Sequence, residues 1–309
     1  MSTEILIAIV ITVVGASTPI LLAALGELVV EKSGVLNLGV EGMMLVGAVT
    51  AFAVTYTTGN PWLGVLCAAI AGTLSSMLFA VLTLSLSSNQ VATGLALTIF
   101  GTGFSSLFGQ AFTGRPIEIF RSVFPTELSA HPVWRLVFGH SPLVYFSLIM
   151  VAVVWWFLNK SRAGLILRAV GENDVSAHSL GYSVIRVRYA AVAFGGMMAG
   201  IAGSCFPLLL TPQWAERLTA GRGWIALALV VFAAWRPMRL LAGAYLFGLV
   251  MTLELYAKAS GSGLAIVPSE FWAALPYLAT ILVLVLISLR RSGHTAAPAC
   301  LGKPFLPTN

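Results

Sequence analysis

Apolar residues run along this chain in long blocks, not in alternation. Nine blocks stand out, at about 5–26, 38–57, 62–86, 91–111, 142–158, 189–210, 223–235, 238–257 and 271–289. Most reach the roughly 20 residues that a helix needs to cross a hydrocarbon core of about 30 Å. Turn chemistry separates several of them: Thr57-Thr58-Gly59-Asn60-Pro61 breaks the second block from the third, and Ser85 to Gln90 is a polar break before the fourth. No backbone group can stay unpaired in hydrocarbon, so the blocks are predicted to be helices. The short alternating stretches of a membrane barrel are not present. The prediction is an all-α, polytopic transmembrane helical bundle of about nine spans, within a range of eight to ten.

Two places break this regularity. Residues 223–235 give 13 uncharged positions, or about 20 Å of helix. They read either as a half-helix or as a full span extended through Trp235 and Pro237. Glu27 to Glu41 is a polar, glycine-containing stretch between two apolar blocks. Discontinuous helices of this kind often mark transporter solute sites. The tail 292–309 holds three prolines and little apolar content and is expected to be disordered, leaving 1–291 as the membrane domain.

Composition strengthens the membrane reading. Apolar residues make up 58% of the 309 positions. Charged residues make up only 9%, against roughly 25% in soluble domains. From Gly42 to Gly114 there is no Asp, Glu, Lys or Arg across 73 residues. The net charge of +6 does not point to nucleic acid, because the basic residues sit between apolar blocks. If the 159–188 loop is cytoplasmic, that side collects Lys32, Lys160, Arg162, Arg168, Arg186, Arg188, Arg236, Arg239, Arg290, Arg291 and Lys303, eleven in all. The other side collects six: Arg115, Arg121, Arg135, Arg217, Arg222 and Lys258. This asymmetry predicts a cytoplasmic C-terminus and, with nine spans, an outside N-terminus. Met1 to Glu4 lacks the basic stretch of a cleavable signal, so the first block is expected to be retained as a span.

The chemistry on offer is not enzymatic. There is no phosphate-binding G-x-x-x-x-G-K-[ST] loop, no G-x-S-x-G, no H-E-x-x-H and no C-x-x-C. His131, His140, His178 and His294 all lie in predicted loops, and Cys67, Cys205 and Cys300 have no metal or disulfide spacing. Three stretches carry more information. In the first, Gly26 to Leu45, Glu27 and Glu31 stand four apart beside Lys32, which suits a local ion pair. Glu41 precedes the long uncharged run and has no cation near it, so its donors must come from another segment or from water. It reads either as a structural cap or as a pathway residue.

The second stretch, Ser87 to Gly103, sets Asn89, Thr93 and Ala96-Leu97 at helical spacing among small residues that allow close packing. The third is Arg168 to Tyr182. Glu172, Asn173 or Asp174 can cap a helix start there and Gly181 can end it, giving a two-turn amphipathic helix. That helix is either part of an ordinary surface loop or a dock for a soluble partner.

These stretches carry a resemblance. The chain resembles the permease subunits of bacterial ABC importers in the ribose, nucleoside and branched-chain amino acid group, and within it the simple sugar and nucleoside permeases. Glu31 to Leu45 is similar to that subgroup's Ser-Gly-Val-Leu-Asn-Leu-Gly-Val-Glu-Gly-Met-Met motif, and Asn89 to Leu97 to its Asn-Gln-Val-x-x-Gly-Leu-Ala-Leu element. Ala169 to Gly181 resembles the coupling loop that seats in a groove of the ATPase, and Gly221 to Ala228 with Arg236-Pro237 resembles a further family stretch. Asp174-Val175 stands where the family often has proline, and Arg236 follows Ala-Ala-Trp in place of a glycine-containing run.

The resemblance implies alternating access in a bacterial plasma (inner) membrane. An extracytoplasmic solute-binding protein delivers solute, a second permease, homologous or identical, completes the path, and two ABC ATPase subunits close on ATP. ATP and Mg are held by those partners, and this chain is expected to need no cofactor of its own. The residues expected to couple to the ATPase are Gly171, Glu172, Asn173, Ala177 and Gly181, on a short cytoplasmic coupling helix. Those expected along the solute path are Asn37, Glu41, Asn89, Gln90, Thr93 and Phe100. A nucleoside or simple sugar is the expected solute; Phe100, Phe104 and Trp224 are either faces for a base or ordinary lipid-facing and core aromatics. An ABC permease for branched-chain amino acids stays open. So do an ion-coupled carrier, with Glu41 and Glu254 as its candidate acids, and a non-transporting scaffold or receptor.

Overall fold

The computed structural model describes residues 3–120, 122–124, 132–260 and 297–305, with scattered positions between 267 and 285. Among the described residues there are eleven helices and no strand, with only two isolated backbone bridges. They run α1 (Thr3–Lys32), α2 (Val40–Thr58), α3 (Pro61–Ala80), α4 (Gln90–Gly109), α5 (Pro132–Phe138), α6 (Pro142–Lys160), α7 (Arg162–Glu172), α8 (Asp174–Ser179), α9 (Val184–Cys205), α10 (Arg222–Phe232) and α11 (Pro237–Ser260). π-helical turns, Val81–Ser85 and Phe206–Leu210, prolong α3 and α9.

Among the described residues, seven helices are long and apolar enough to cross a membrane: α1, α2, α3, α4, α6, α9 and α11. The seventh block, 223–235, is the half-helix alternative. Its helix α10 has 11 residues, about 16 Å long, and a left-handed turn at Ala234 and Trp235 ends it. The ninth block, 271–289, lies mostly outside the described residues.

Helix α1 corrects the first block. It does not stop near Leu25-Gly26 but continues for 30 residues to Lys32, because Leu28, Val29 and Val30 are as buried as the residues before them. Its interior proline, Pro19, is tolerated because the hydroxyls of Ser17 and Thr18 bond back to the Val13 and Val14 carbonyls at 2.6 and 2.9 Å. The polar stretch then becomes an elbow, residues 33–39, which turns at Gly34 with φ +90° and leads into α2.

Helix α9 is the centre of the bundle, packed by α1, α2 and α3. Glycines make that possible. Gly200 meets Gly72 and Gly47 backbone to backbone, Gly203 meets the Met44 carbonyl, and Gly195 faces Gly26. Without a hydrophobic drive between helices in lipid, such close approach supplies the van der Waals contact that holds spans together.

The tail was expected to be disordered over 292–309, and part of it is not. Residues 297–305 lie against the end of the bundle that carries α7 and α8. Cys300 donates its N–H to the Gly171 carbonyl (2.9 Å) and Gly302 donates to the Gly34 carbonyl (3.1 Å). Pro298 and Cys300 are buried there. Low apolar content forbids an independent core, but it does not forbid docking by backbone pairing.

A Cβ at Gly47 would stand 2.6 Å from the Gly200 Cα. Gly47→Val is therefore expected to cost about 1–3 kcal/mol, seen as a lower unfolding temperature in detergent. Gly15→Ala, with nothing within 4 Å of its Cβ position, should leave that temperature unchanged or slightly raised. Equal unfolding temperatures for the two variants would contradict the packing argument.

Candidate functional site

Glu41 lies in the first turn of α2 and is 6% exposed. Its donors do come from another segment, the turn that precedes α10. Thr219 Oγ1 donates to Oε1 at 2.5 Å, the Gly221 N–H to Oε1 at 2.9 Å and the Gly223 N–H to Oε2 at 2.6 Å. Two of these donors belong to the start of a half-length helix, where backbone N–H groups point outward unpaired and the helix dipole favours an anion. The close approach needs Gly223, whose Cβ would collide with Glu41. Gly221 holds φ +79° as the N-cap.

This carboxylate forms part of the wall of an open cavity of about 750 Å³. Thr98, Ile99 and Thr102 face it from α4, and Arg217, Gly221 and Trp224 from the turn and α10. Hydroxyls, a guanidinium, a carboxylate and an indole thus meet around one volume. That set can exchange hydrogen bonds with a hydroxylated solute and offer a face for stacking.

The other residues expected along the path are dispersed. Asn37 is fully buried in the elbow; its Oδ1 accepts from the Gly39 N–H (2.9 Å) and its own N–H donates to Glu27 Oε1 (3.2 Å). Asn89 caps α4, accepting from the Ala92 N–H at 3.0 Å. Gln90 is buried, accepts from the Leu36 N–H at 2.8 Å and leaves its Nε2 without a partner among the described residues. Thr93 and Phe100 line a separate groove of about 440 Å³ together with Phe79 and Leu97. Of the six, Glu41 alone lines the larger cavity. Thr98, Thr102 and Arg217 were not singled out from the sequence, although two threonines four apart in an uncharged helix are a readable polar stripe.

The Glu27–Glu31–Lys32 ion pair does not form. Both carboxylates are buried on α1 and are satisfied elsewhere: Glu27 by the Asn37 N–H and Glu31 by Trp235 Nε1 at 2.6 Å. Glu254 pairs with Lys258 on α11 at 2.7 Å.

The opposite pole of the site is α7 and α8. Of the three possible caps, Asn173 serves, its Oδ1 accepting from the Ser176 N–H at 2.9 Å. Gly181 ends the turn with φ +88°, its N–H donating to the His178 carbonyl at 2.8 Å. Ala177 is buried with Val170 and Val184 beneath the helix, against Phe305 of the tail. Gly171 packs on the Lys32 carbonyl with no room for a side chain. Glu172 points outward, and Val175 and Leu180 are 56% and 77% exposed.

Arg188 joins these parts. It was counted with the loop charges, but it lies in the first turn of α9 and is 0% exposed. Its Nη2 meets Asp174 Oδ2 of α8 at 3.1 Å, its Nε donates to the Ser33 carbonyl of the elbow at 3.2 Å, and its Nη1 donates to the Lys303 carbonyl of the tail at 3.3 Å.

Removing one partner of a buried charge pair costs about 3–5 kcal/mol. Arg188→Ala should lower stability by an amount of that order. It should also release the tail to proteolysis C-terminal to residue 296, read by intact mass after limited digestion. A tail as resistant as in the unaltered protein would mean that Arg188 does not hold it.

Comparison with known proteins places this architecture. Residues 9–286 match the family model described as branched-chain amino acid transport system / permease component. A putative glucose ABC transporter permease protein, TsgC13 of Haloferax volcanii, is 42% identical, over 93% of this chain and 94% of its own length. The nucleoside ABC transporter permease NupC of Lactococcus lactis and the guanosine ABC transporter permease NupQ of Bacillus subtilis are each 31% identical over 94% of this chain. No solved structure matches the chain. The chain is a multi-pass membrane protein and belongs to the permease-component family of the branched-chain amino acid transport system type, in the sugar and nucleoside ABC permease group.

Proposed function

We propose that this chain is the membrane subunit of an ATP-driven importer for a nucleoside or a simple sugar, driven through the 170–182 segment. The observation that carries the solute class is the cavity beside Glu41: hydroxyl, carboxylate and guanidinium groups suit vicinal hydroxyls, and Trp224 suits a ring face. The relatives named for glucose, nucleosides and guanosine all handle solutes that bear or are sugars. A branched-chain amino acid would leave most of these polar groups unpaired.

The docking reading rests on α8. A six-residue helix with Val175 and Leu180 bare on its outer side and Ala177 buried on its inner side is a knob with a seat behind it. ABC ATPases are the partners that fit, with a solute-binding protein on the opposite face and a second permease beside α4, where Ile99 and Leu107 stand 74% and 67% exposed. The orientation that follows puts Lys32, α7, α8 and the tail in the cytoplasm and the N-terminus outside. ATP and Mg then belong to the partner. An ion-coupled carrier is less well supported, since Glu41 and Glu254 both have partners.

Two substitutions test the docking. Gly181→Trp is strained at φ +88°, and Glu172→Arg inverts the charge of an exposed docking residue. Both variants should insert and assemble a stable permease, while uptake per ATP hydrolysed falls about tenfold or more in vesicles containing the full set of partners. Wild-type uptake per ATP in both variants would remove the 170–182 segment from the coupling role.

A further inference from the structure

Beside α7, on the side facing α11, the bundle has a second cavity of about 520 Å³ that the transport reading does not use. Four cations converge on it: Lys32 from the end of α1, Arg168 from α7, and Arg236 and Arg239 from the start of α11. No carboxylate lines it. Two acids lie nearby. Glu31 accepts from Trp235 Nε1, and Glu172 shares the neighbouring cavity with Lys32 and Arg168, which leaves two carboxylates against four cations. Among the described residues, none of the four cations forms an ion pair, and the Nε of Arg168 is buried with no hydrogen-bond partner. Concentrated positive charge without a counter-charge is costly unless an anion completes it.

The surroundings say which anion. Trp155 and Trp235 flank the cations, and Trp155 is 41% exposed on α6 near its charged end at Lys160. Tryptophan beside lysine and arginine at the end of a span is the signature of the membrane–water interface. Helix α11 starts at this cavity with Pro237, so the positive end of its dipole adds to the field. Met238, 57% exposed next to the mouth, offers an apolar flank.

We propose that this cavity binds a phosphate group at the membrane interface, supplied by the headgroup of an anionic phospholipid of the adjacent leaflet. Basic pockets between spans recognise such headgroups by charge-assisted bonds. Arg168 lies on the helix that leads into α8, and Arg236 follows the turn that ties Trp235 to Glu31. A bound headgroup therefore bridges α1, α7 and α11.

The full complex, purified from the membrane and from lipid nanodiscs of phosphatidylglycerol in phosphatidylcholine, provides the test. Native mass spectrometry counts retained phosphatidylglycerol, and thermal unfolding in detergent is followed with and without inorganic phosphate. The unaltered complex should retain phosphatidylglycerol in preference to phosphatidylcholine. Arg236→Gln/Arg239→Gln should weaken that retention about tenfold to thirtyfold, the effect of losing two interfacial cations. Arg162→Gln/Arg186→Gln, at exposed positions outside the cavity, should leave it unchanged. Stabilisation by inorganic phosphate alone, lost in the first double variant, would support the phosphate site and assign its natural occupant to free phosphate. Equal lipid retention in both double variants with no phosphate effect would overturn the proposal. So would a loss of ATPase association in the first double variant with lipid retention intact, since the cations would then serve a protein contact.

Discussion

A guanidinium sealed inside an apolar bundle is tolerated only if each of its three nitrogens finds an acceptor. Arg188 meets that condition with three partners from three parts of the chain: Asp174 of the short outer helix, the Ser33 carbonyl of the elbow between the first two spans, and the Lys303 carbonyl of the tail. Because the charge cannot be left unpaired, these parts are constrained to stay together or to rearrange together. A displacement of α8 therefore bears on the elbow and on the tail through one side chain. The elbow is in turn bonded to Glu27 through Asn37 and to Gln90 through the Leu36 N–H.

Two residues beyond the elbow stands Glu41, another ionisable group that the bundle has to accommodate. Its carboxylate is held by the beginning of α10, a helix too short to cross the membrane, and the α4 threonines and Trp224 gather beside it. The far end of α10 is pinned as well, because Trp235 in its left-handed turn donates to Glu31. A half-helix tied at both ends to acids on α1 and α2 is an element with two distinct attachment points. Loosening either one alters the cavity wall. In this arrangement the cavity beside Glu41 and the outer helix α8 are connected by contiguous bonded groups, without requiring any single residue to touch both.

The membrane class and the helical blocks were legible because they follow from local composition and length, whereas length alone left 223–235 open between a half-helix and a full span. So was the need of Glu41 for remote donors, since an acid facing 73 uncharged residues has no local partner. What the sequence hid depends on contacts between distant positions. Arg188 looks like an ordinary interfacial charge, because nothing near it reveals the partners 155 residues before it and 115 residues after it. Glu27 and Glu31 invited a local ion pair with Lys32, but α1 turns both into the bundle, where Asn37 and Trp235 reach them. The tail reads as too polar and proline-rich to fold, yet two backbone bonds and a few buried side chains dock part of it. Asn37 and Asn89 show the converse: their amides invited a place on the solute path, while the structure has them holding local turns at Gly39 and Ala92.

An ATP-driven permease and an ion-coupled carrier differ in where the energy for transport enters. The direct measurement is solute accumulation in sealed vesicles containing this permease and its binding protein, with and without the ATPase. A nucleoside or glucose should be concentrated against its gradient only when the ATPase and ATP are present, and imposed proton or sodium gradients should have no effect. Uphill accumulation by the permease alone, on an ion gradient, would contradict ATP-driven import and return Glu41 and Glu254 to the position of candidate coupling acids.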